Sequence, residues 1–294
     1  MRTADFDYFL PPELIAQEPV PQRDQSRLLV FERATGAIAH QQFPQLLDHL
    51  REGDLLVLNN SKVIPARLRG CNRKTGGQFE ILLVEENSRN DWWAMMRPGK
   101  RARIGTEIDL MDRQKQTSSV TAQVIEVNEE GHRRLQFSGT DDILSSLDRL
   151  GEIPLPPYIE RSQPKTEDLE RYQTVYAQSA GSVAAPTAGL HFTPALLDAI
   201  ARRGVAVCHV TLHVGLGTFA PVKADEITEH VMHTERFEVS EAAAQAINLA
   251  KQAGRRVIAV GTTSVRVLES VARNHNGKMA SGSGKTNIFI YPPC

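Results

Sequence analysis

The chain has 294 residues, enough for about two domains of ordinary size, and a formal net charge of −1, so net charge alone gives no sign of a nucleic-acid partner. Its three cysteines, Cys71, Cys208 and Cys294, are few and widely spaced, which argues against a disulfide framework and against a cysteine-rich zinc site. The N-terminal residues lack the apolar run of a signal peptide, and no stretch reaches membrane-spanning length. We therefore expect a cytoplasmic protein without a membrane segment.

The first predicted elements are two short strands with a helix between them. Apolar runs at Leu28–Phe31 and Asp54–Leu58 are typical of short buried strands. The segment Pro44–Glu52 has helical spacing and is followed by Gly53, a common residue just past a helix end.

From about Ala66 to Phe137 the sequence changes to short β-rich runs separated by Gly, Asn and basic turns. The runs are Gln78–Glu85, Trp92–Arg97, Val120–Val127 and Arg133–Phe137. This pattern is typical of a small antiparallel barrel or sandwich. The stretch 62–103 also has ten Lys and Arg against four Asp and Glu, which suits either contact with phosphates or a solvated charged face.

Helices and strands alternate in the rest of the chain. The predicted helices are Asp141–Leu150, one capped by Thr193, and one between Ser240 and Gly254; the predicted strands are Val205–Val214 and Arg256–Val260. We therefore predict an α/β core domain, a mixed sheet or barrel with flanking helices, with an inserted small antiparallel β-barrel domain. The discontinuous core covers residues 1–61 and 151–294, and the inserted barrel covers residues 62–150.

Two loops combine glycines with a single histidine. His191 lies in the segment 181–193, which is rich in small residues, and His213 begins the segment 213–219, which contains Gly215 and Gly217. Glycine lets the backbone approach a ligand closely, and histidine exchanges a proton near neutral pH. The repeated pattern indicates that both loops belong to one site.

A strand-to-helix junction at 257–266 is a third candidate. Thr262, Thr263 and Ser264 open a helix predicted over Val265–Arg273, and Arg266 follows in its first turn. Free backbone N–H groups at a helix N-terminus favour a carboxylate or a phosphate, although ordinary capping by Thr263 or Ser264 explains the same residues. Asn59 and Asn60 end a strand, where amides either contact a base edge or form a turn.

Other motif matches fit less well. Four histidines, His209, His213, His230 and His233, suggest a zinc-dependent hydrolase, but acidic or cysteine ligands at a suitable spacing are missing. Gly284-Lys285-Thr286 lacks the upstream glycine of a phosphate-binding loop, and Gly215-Leu216-Gly217 does not open an apolar-periodic helix. We therefore predict no metal site and no dinucleotide site.

Several blocks together resemble the S-adenosylmethionine:tRNA ribosyltransferase-isomerase family of queuosine biosynthesis, from about residue 3 to residue 292. These blocks are 22–30 (QRDQSRLLV), 53–68 (GDLLVLNNSKVIPARL), 185–192 (APTAGLHF), 213–219 (HVGLGTF), 230–233 (HVMH) and 260–266 (VGTTSVR). The resemblance implies an α/β core with an inserted β-barrel. It also implies transfer of the ribosyl part of S-adenosylmethionine to 7-aminomethyl-7-deazaguanine, at the wobble position of tRNA with a GUN anticodon. The products are epoxyqueuosine, adenine and methionine, and S-adenosylmethionine is consumed as a substrate, so no cofactor is expected.

Roles for particular residues follow as hypotheses. His191 or His213 is the candidate base that removes a proton beside the sulfonium, and His233 is the candidate donor to departing adenine. The remaining residues are expected to bind substrate: Thr187, Gly189, Gly215 and Gly217 in the two loops, Thr262, Thr263, Ser264 and Arg266 toward the methionine carboxylate, and Arg27, Asn59, Asn60 and Arg67 toward the RNA or its modified base. The basic strip Arg97–Arg103 is expected to follow backbone phosphates.

The family pattern departs from this sequence at its end. Relatives continue after Tyr291-Pro292 with a glycine and a further segment, whereas Pro293 and Cys294 stand here. Two hypotheses follow: an active enzyme, expected to be a monomer, and a truncated, catalytically inactive relative that retains at most tRNA binding.

Overall fold

The computed structural model describes residues 1–161, 165–219 and 222–292. Its N-terminal part contains an exposed hairpin. Strands β1 (Arg27–Glu32) and β2 (Ala37–Gln42) pair antiparallel, and helix α1 (Leu46–His49) follows after a short 3-10 turn. The predicted strand at 28–31 is confirmed by β1, but its predicted burial is wrong, because Leu29, Phe31 and the facing Ile38 are each more than half exposed. A two-stranded ribbon has no further layer of its own to cover its apolar side chains.

A closed six-stranded antiparallel barrel follows the strands β3 (Leu55–Asn59) and β4 (Ser61–Val63). Its strands are β5 (Arg67–Asn72), β6 (Gln78–Ser88), β7 (Asp91–Arg97), β8 (Glu107–Met111), β9 (Thr117–Val127) and β10 (Arg133–Ser138). Helix α2 (Ile143–Leu150), capped by Asp142, packs its apolar side onto the barrel core. The predicted barrel and its four predicted strands are confirmed, while β5 and β8 were missed.

The rest of the chain builds a five-stranded mixed sheet in the order β14-β3-β12-β13-β15. Its further elements are α3 (Asp168–Arg171), β11 (Ser179–Ser182), α4 (Pro194–Arg202), β12 (Ala206–His213), β13 (Glu235–Val239), α5 (Glu241–Gln252), β14 (Val257–Ala259), α6 (Gly261–Asn274) and β15 (Gly282–Thr286). Strands β14, β3 and β12 run parallel, and β13 and β15 run antiparallel to their neighbours. Strand β11 lies apart from this sheet, parallel to β4.

Helices cover both faces of the sheet, which explains the unbroken apolar run in β3. Leu55 and Val57 pack in one cluster with residues of α5 and α6, while Leu56 and Leu58 pack in another with residues of α4. A parallel strand buried on both faces has apolar residues at successive positions rather than alternate ones. The predicted fold class, an α/β core with a small antiparallel barrel, is therefore confirmed.

The described barrel strands all fall within the predicted insertion 62–150, whose exact boundaries stay a prediction. Pro293 and Cys294 lie outside the described residues. Among the helices in the described part of the chain, none combines the length and the apolar character that a membrane crossing requires.

Candidate active site

The first histidine loop is anchored by an aromatic residue. Thr187–His191 forms a 3-10 turn between β11 and α4, and Phe192 directly after it is almost completely buried. The Phe192 ring packs edge-on against Phe43 and Tyr176, with centroid distances of 5.2 and 6.4 Å. The His191 ring tilts against Phe43 at 5.2 Å. The loop is thus fixed at His191 and Phe192.

Gly189 in this loop lies against aromatic and hydroxyl groups. A Cβ at this position would collide with the Tyr176 hydroxyl and would come 2.9 Å from Cγ2 of Thr174. The glycine is therefore required for close packing of the turn. This explanation is independent of any substrate contact, so the substrate role of Gly189 stays a prediction, as does that of Thr187.

The N-terminal end of α6 meets the first loop. A Cβ at Gly261 would come 3.3 Å from Cβ of Ala188, and Gly261 has a φ of +82°. Helix α6 begins there without a side-chain cap, and among the described residues the buried hydroxyl of Thr263 has no hydrogen-bond partner. The N-terminal end of α6, with the Thr263 hydroxyl, therefore lies beside the first loop.

Ser264 differs from its neighbours in this turn. Its side chain is fully buried, and its hydroxyl donates to the carbonyl oxygen of Val260 at 2.9 Å. This geometry does not fit the predicted contact with a substrate carboxylate. Thr262 is exposed and Thr263 is half-buried, so these two residues remain candidates for contact with the substrate carboxylate.

The second loop starts at His213, where β12 ends. Its Nδ1 is buried and has no hydrogen-bond partner among the described residues, and a Cβ at Gly181 would come 2.9 Å from that atom. Burial lowers the pKa of His213, and the positive charge of Arg236 on the neighbouring strand lowers it further. His213 is therefore neutral at pH 7, which is the form that accepts a proton.

A buried ion pair that the sequence analysis missed connects the second loop to α6. One carboxylate oxygen of Glu235 accepts a hydrogen bond from the Gly215 backbone N–H at 3.0 Å, and the other oxygen pairs with Arg266. Arg266 also donates to the carbonyl oxygen of His233 at 3.0 Å. Burial raises the pKa of Glu235, and the Arg266 charge opposes that shift. Glu235 thus links the second loop, the His233 segment and α6.

One prediction changes with this ion pair. Arg266, expected to bind a substrate carboxylate, directs its guanidinium instead to Glu235 and to the carbonyl oxygens of His233 and Ile288. Gly217, in the second loop, lies so close to His233 that a Cβ there would collide with its ring. The alternation of side chains along β13 could have identified Glu235 from the sequence. Glu235 shares one face of the strand with the inward-facing Phe237 and Val239.

The residues expected to contact RNA are not equivalent. Asn59 is buried, and its amide bonds to the backbone of Leu212 and Ser61 at 3.0–3.1 Å, so it fixes the end of β3, which does not fit the predicted contact with RNA. Asn60 accepts a hydrogen bond from the Thr211 hydroxyl at 2.7 Å. Arg27 is exposed at the start of β1, and Arg67 has a buried Nε without a partner among the described residues.

The barrel reaches the same region through His132. Burial lowers the pKa of His132; Glu130 opposes this shift, and His233 and Arg133 add to it. An ion pair between Glu85 of β6 and Lys285 of β15, at 3.3 Å, also joins the barrel to the sheet. His132 therefore lies on the side of the barrel that faces His233.

Two of the four histidines of the zinc hypothesis lie against different aromatic rings. His209 lies against the Tyr176 ring at 5.5 Å, and His230 lies against the Phe289 ring at 5.3 Å. In residues 1–161, 165–219 and 222–292, no group of three His, Cys, Asp or Glu side chains has the arrangement of a metal site.

The fold and these two loops belong to a known family. The chain matches the family described as "Queuosine biosynthesis protein" over residues 3–294, and it is a member of that family. It is 51% identical over 292 residues to the S-adenosylmethionine:tRNA ribosyltransferase-isomerase of Heliobacterium modesticaldum, covering 99% of this chain and 83% of the relative. It is also similar to the crystal structure of an S-adenosylmethionine tRNA ribosyltransferase from Thermotoga maritima, with 34% identity, a TM-score of 0.46, and coverage of 99% of this chain and 80% of that one. The family resemblance and the transferase-isomerase class predicted from the sequence are confirmed.

Proposed function

We propose that this protein transfers the ribosyl part of S-adenosylmethionine to 7-aminomethyl-7-deazaguanine at the wobble position of tRNA with a GUN anticodon. It then isomerises that group, giving epoxyqueuosine with release of adenine and methionine. One observation carries the proposal: both histidine loops meet α6, where Ala188 contacts Gly261 and Glu235 joins Gly215 to Arg266. The family and the name of the 51%-identical relative support the same reaction.

His213 is the base in this proposal. The carbon beside a sulfonium carries an acidified C–H bond, and a neutral imidazole takes that proton while the electron pair stays on the carbon. The lowered pKa of His213 keeps the ring neutral at pH 7. His191, on the other loop, is the second candidate for this step. His233 donates a proton to the departing adenine.

The donor is held by the N-terminal end of α6. Its uncapped N–H groups, together with Thr262 and the unpartnered hydroxyl of Thr263, suit the methionine carboxylate. The loop residues Thr187, Gly189, Gly215 and Gly217 lie along the rest of the donor. S-adenosylmethionine is consumed as a substrate in this proposal, which assigns no cofactor.

The acceptor is the anticodon of tRNA. Arg27, Asn60 and Arg67 contact the RNA or its modified base, while Asn59 supports them from within the sheet. The protein acts in the cytoplasm and as a monomer in this proposal.

Nucleoside mass spectrometry on tRNA that carries 7-aminomethyl-7-deazaguanine tests the proposal. We expect epoxyqueuosine and free adenine in equal amounts after incubation with the protein and S-adenosylmethionine. His213→Gln should lower the rate about 100-fold or more, since general-base catalysis contributes roughly that much, while tRNA affinity changes little. His40→Gln, on the exposed hairpin, is the matched control. Absence of both products from folded protein, beside an active relative, would overturn the proposal in favour of an inactive relative that binds tRNA at most.

A further inference from the structure

The turn between β7 and β8 carries four exposed cations. Arg97, Lys100, Arg101 and Arg103 lie within seven residues, and this segment 97–103 is called the basic turn below. A 3-10 turn at Gly99–Arg101 bends the segment, and Ala102 is buried beneath it. The bend directs the charged side chains outward while the backbone stays attached to the barrel.

A single arginine holds the backbone of the basic turn. Arg133, at the start of β10, donates from Nε to the carbonyl oxygen of Ala102 at 3.2 Å and from Nη2 to that of Gly99 at 2.6 Å. Its Nη1 donates to the carbonyl oxygen of Gly131. Three donor atoms of one guanidinium thus fix two neighbouring turns. The backbone from which the cations project is therefore held in one conformation before any partner binds, which lowers the entropic cost of ordering it on binding.

The cations of the basic turn differ from other arginines of the barrel. Arg69, Arg73 and Arg134 each pair with carboxylates at 2.7–3.0 Å. By contrast, no carboxylate of the described residues lies within ion-pair distance of the four cations of the basic turn. Charges that are neutralised elsewhere on the barrel are thus left available here.

The basic turn lies beside the candidate active site. Arg133, which holds the turn, follows His132 in the chain, and His132 is near enough to His233 for that residue to lower the pKa of His132. A polyanion bound along the basic turn therefore lies near the part of the barrel that approaches His233. Phosphate groups spaced along a nucleic-acid backbone are the ligands that several fixed, unpaired cations attract.

We propose that the basic turn binds the sugar-phosphate backbone of the tRNA substrate and places the anticodon in the active site. This inference rests on the proposed function, because it takes tRNA as the substrate. The barrel contributes charge and position, and the loops of the α/β core contribute the chemistry. Phosphate contacts of this kind fix the orientation of an RNA and carry no base specificity of their own.

Two triple variants with equal charge change test the inference. The first, Lys100→Gln with Arg101→Gln and Arg103→Gln, removes three cations of the basic turn. The control, Arg89→Gln with Lys115→Gln and Arg149→Gln, removes three exposed cations elsewhere on the barrel domain. Arg89 precedes β7 and Lys115 follows β8, so a strand length separates each from the basic turn. Neither triple removes a side chain that holds the turn.

Binding of a fluorescently labelled tRNA is measured by anisotropy at several salt concentrations. We expect the basic-turn variant to bind at least about 10-fold more weakly, and the slope of log Kd against log salt to fall by about 2, since each lost phosphate contact removes roughly 0.7–0.9. The control should bind within about two-fold of the unchanged protein. Equal binding by both variants, or no tRNA binding by the unchanged protein, would overturn the inference.

Product formation separates this inference from the proposed function. If epoxyqueuosine forms but both triples bind tRNA alike, the proposed function stands and the basic turn is not its RNA anchor. If no epoxyqueuosine forms while the basic-turn variant loses tRNA affinity selectively, the reaction is wrong and the RNA-binding surface stands.

Discussion

Gly181 controls the environment of His213 at the scale of single atoms. Its φ of +138° is unfavourable for any residue with a Cβ, and that Cβ would lie 2.9 Å from Nδ1 of the imidazole. The buried ring has a pKa below its ordinary value of 6.5, so it stays neutral until the pH falls below that value. The acid limb of the pH–rate profile, where the base becomes protonated, should therefore lie below pH 6.5.

Gly181→Ala should displace the imidazole and reduce catalysis. We expect adenine release to slow about 10-fold or more, because small displacements of a catalytic group cost this much, and the acid limb to move toward the ordinary pKa as the ring becomes more exposed. Gly282→Ala is a closely matched control, since Gly282 has a φ of +142° and open space around its Cβ position. Both variants carry similar backbone strain, so only Gly181→Ala should change the pH profile. Identical profiles would show that Gly181 does not position His213.

The ion pair of Glu235 and Arg266 connects three structural elements, because it joins β13 to α6 and to the second loop. The two side chains are 6% and 14% exposed, so neither charge is well hydrated without the other. We expect Glu235→Gln to destabilise the protein by about 3 kcal/mol in urea unfolding, since breaking a buried pair leaves one charge uncompensated. The rate of adenine release should also fall as Gly215 and His233 lose their fixed positions.

The double variant Glu235→Leu with Arg266→Met separates stability from function. Replacement of a buried ion pair by apolar side chains commonly restores stability, so its urea midpoint should return toward that of the unchanged protein. Its activity should stay low, because neither new side chain bonds to the Gly215 N–H or the His233 carbonyl. Recovery of full activity would mean that the pair serves the fold alone.

Local patterns predicted most elements, and contacts between distant segments explain the exceptions. Thr193 and Ser240 cap their helices as expected, each accepting a backbone hydrogen bond. Strand β5 was missed because Gly70 breaks its sequence pattern. A Cβ at Gly70 would come 2.6 Å from the side chain of Ile108 in β8, so the glycine allows these two strands to lie close together. The sequence alone does not reveal such a neighbour.

In the candidate site, too, local features could be predicted from the sequence and contacts between distant segments could not. The two histidine loops and the start of α6 were recognisable from composition, because glycines and helix-start residues are local features. Whether a polar side chain faces substrate or protein depends on distant partners, as Leu212 shows for Asn59. Glu235 was missed for that reason, although its phase within β13 places it on the inward face of the strand.

Two buried carboxylates, one in each half of the molecule, make the stability of the whole protein depend on pH. Asp54 pairs with Arg256 beside the sheet, and Asp91 pairs with Arg134 on the barrel. Hydrogen bonds from these arginines hold both carboxyl pKa values below the ordinary 3.8. A carboxyl group with a lowered pKa in the folded state stabilises the fold above its unfolded pKa, and the stabilisation is lost as the pH falls through the folded pKa.

Asp54→Asn and Asp91→Asn should therefore each lower the free energy of unfolding by about 2 kcal/mol at pH 7, the scale of a hydrogen bond to a charged group, and by less near pH 3. Asp148→Asn, at an exposed position of α2, is the control and should have little effect at either pH.

The barrel and the sheet share packing. The barrel core includes Val183 from beyond β11, and the Ile64 N–H donates to the carbonyl oxygen of Ser182 at 2.9 Å. Because of this shared packing, we expect both variants to shift one common transition in calorimetry. Two separate transitions, each sensitive to only one of the variants, would show instead that the barrel and the sheet unfold independently.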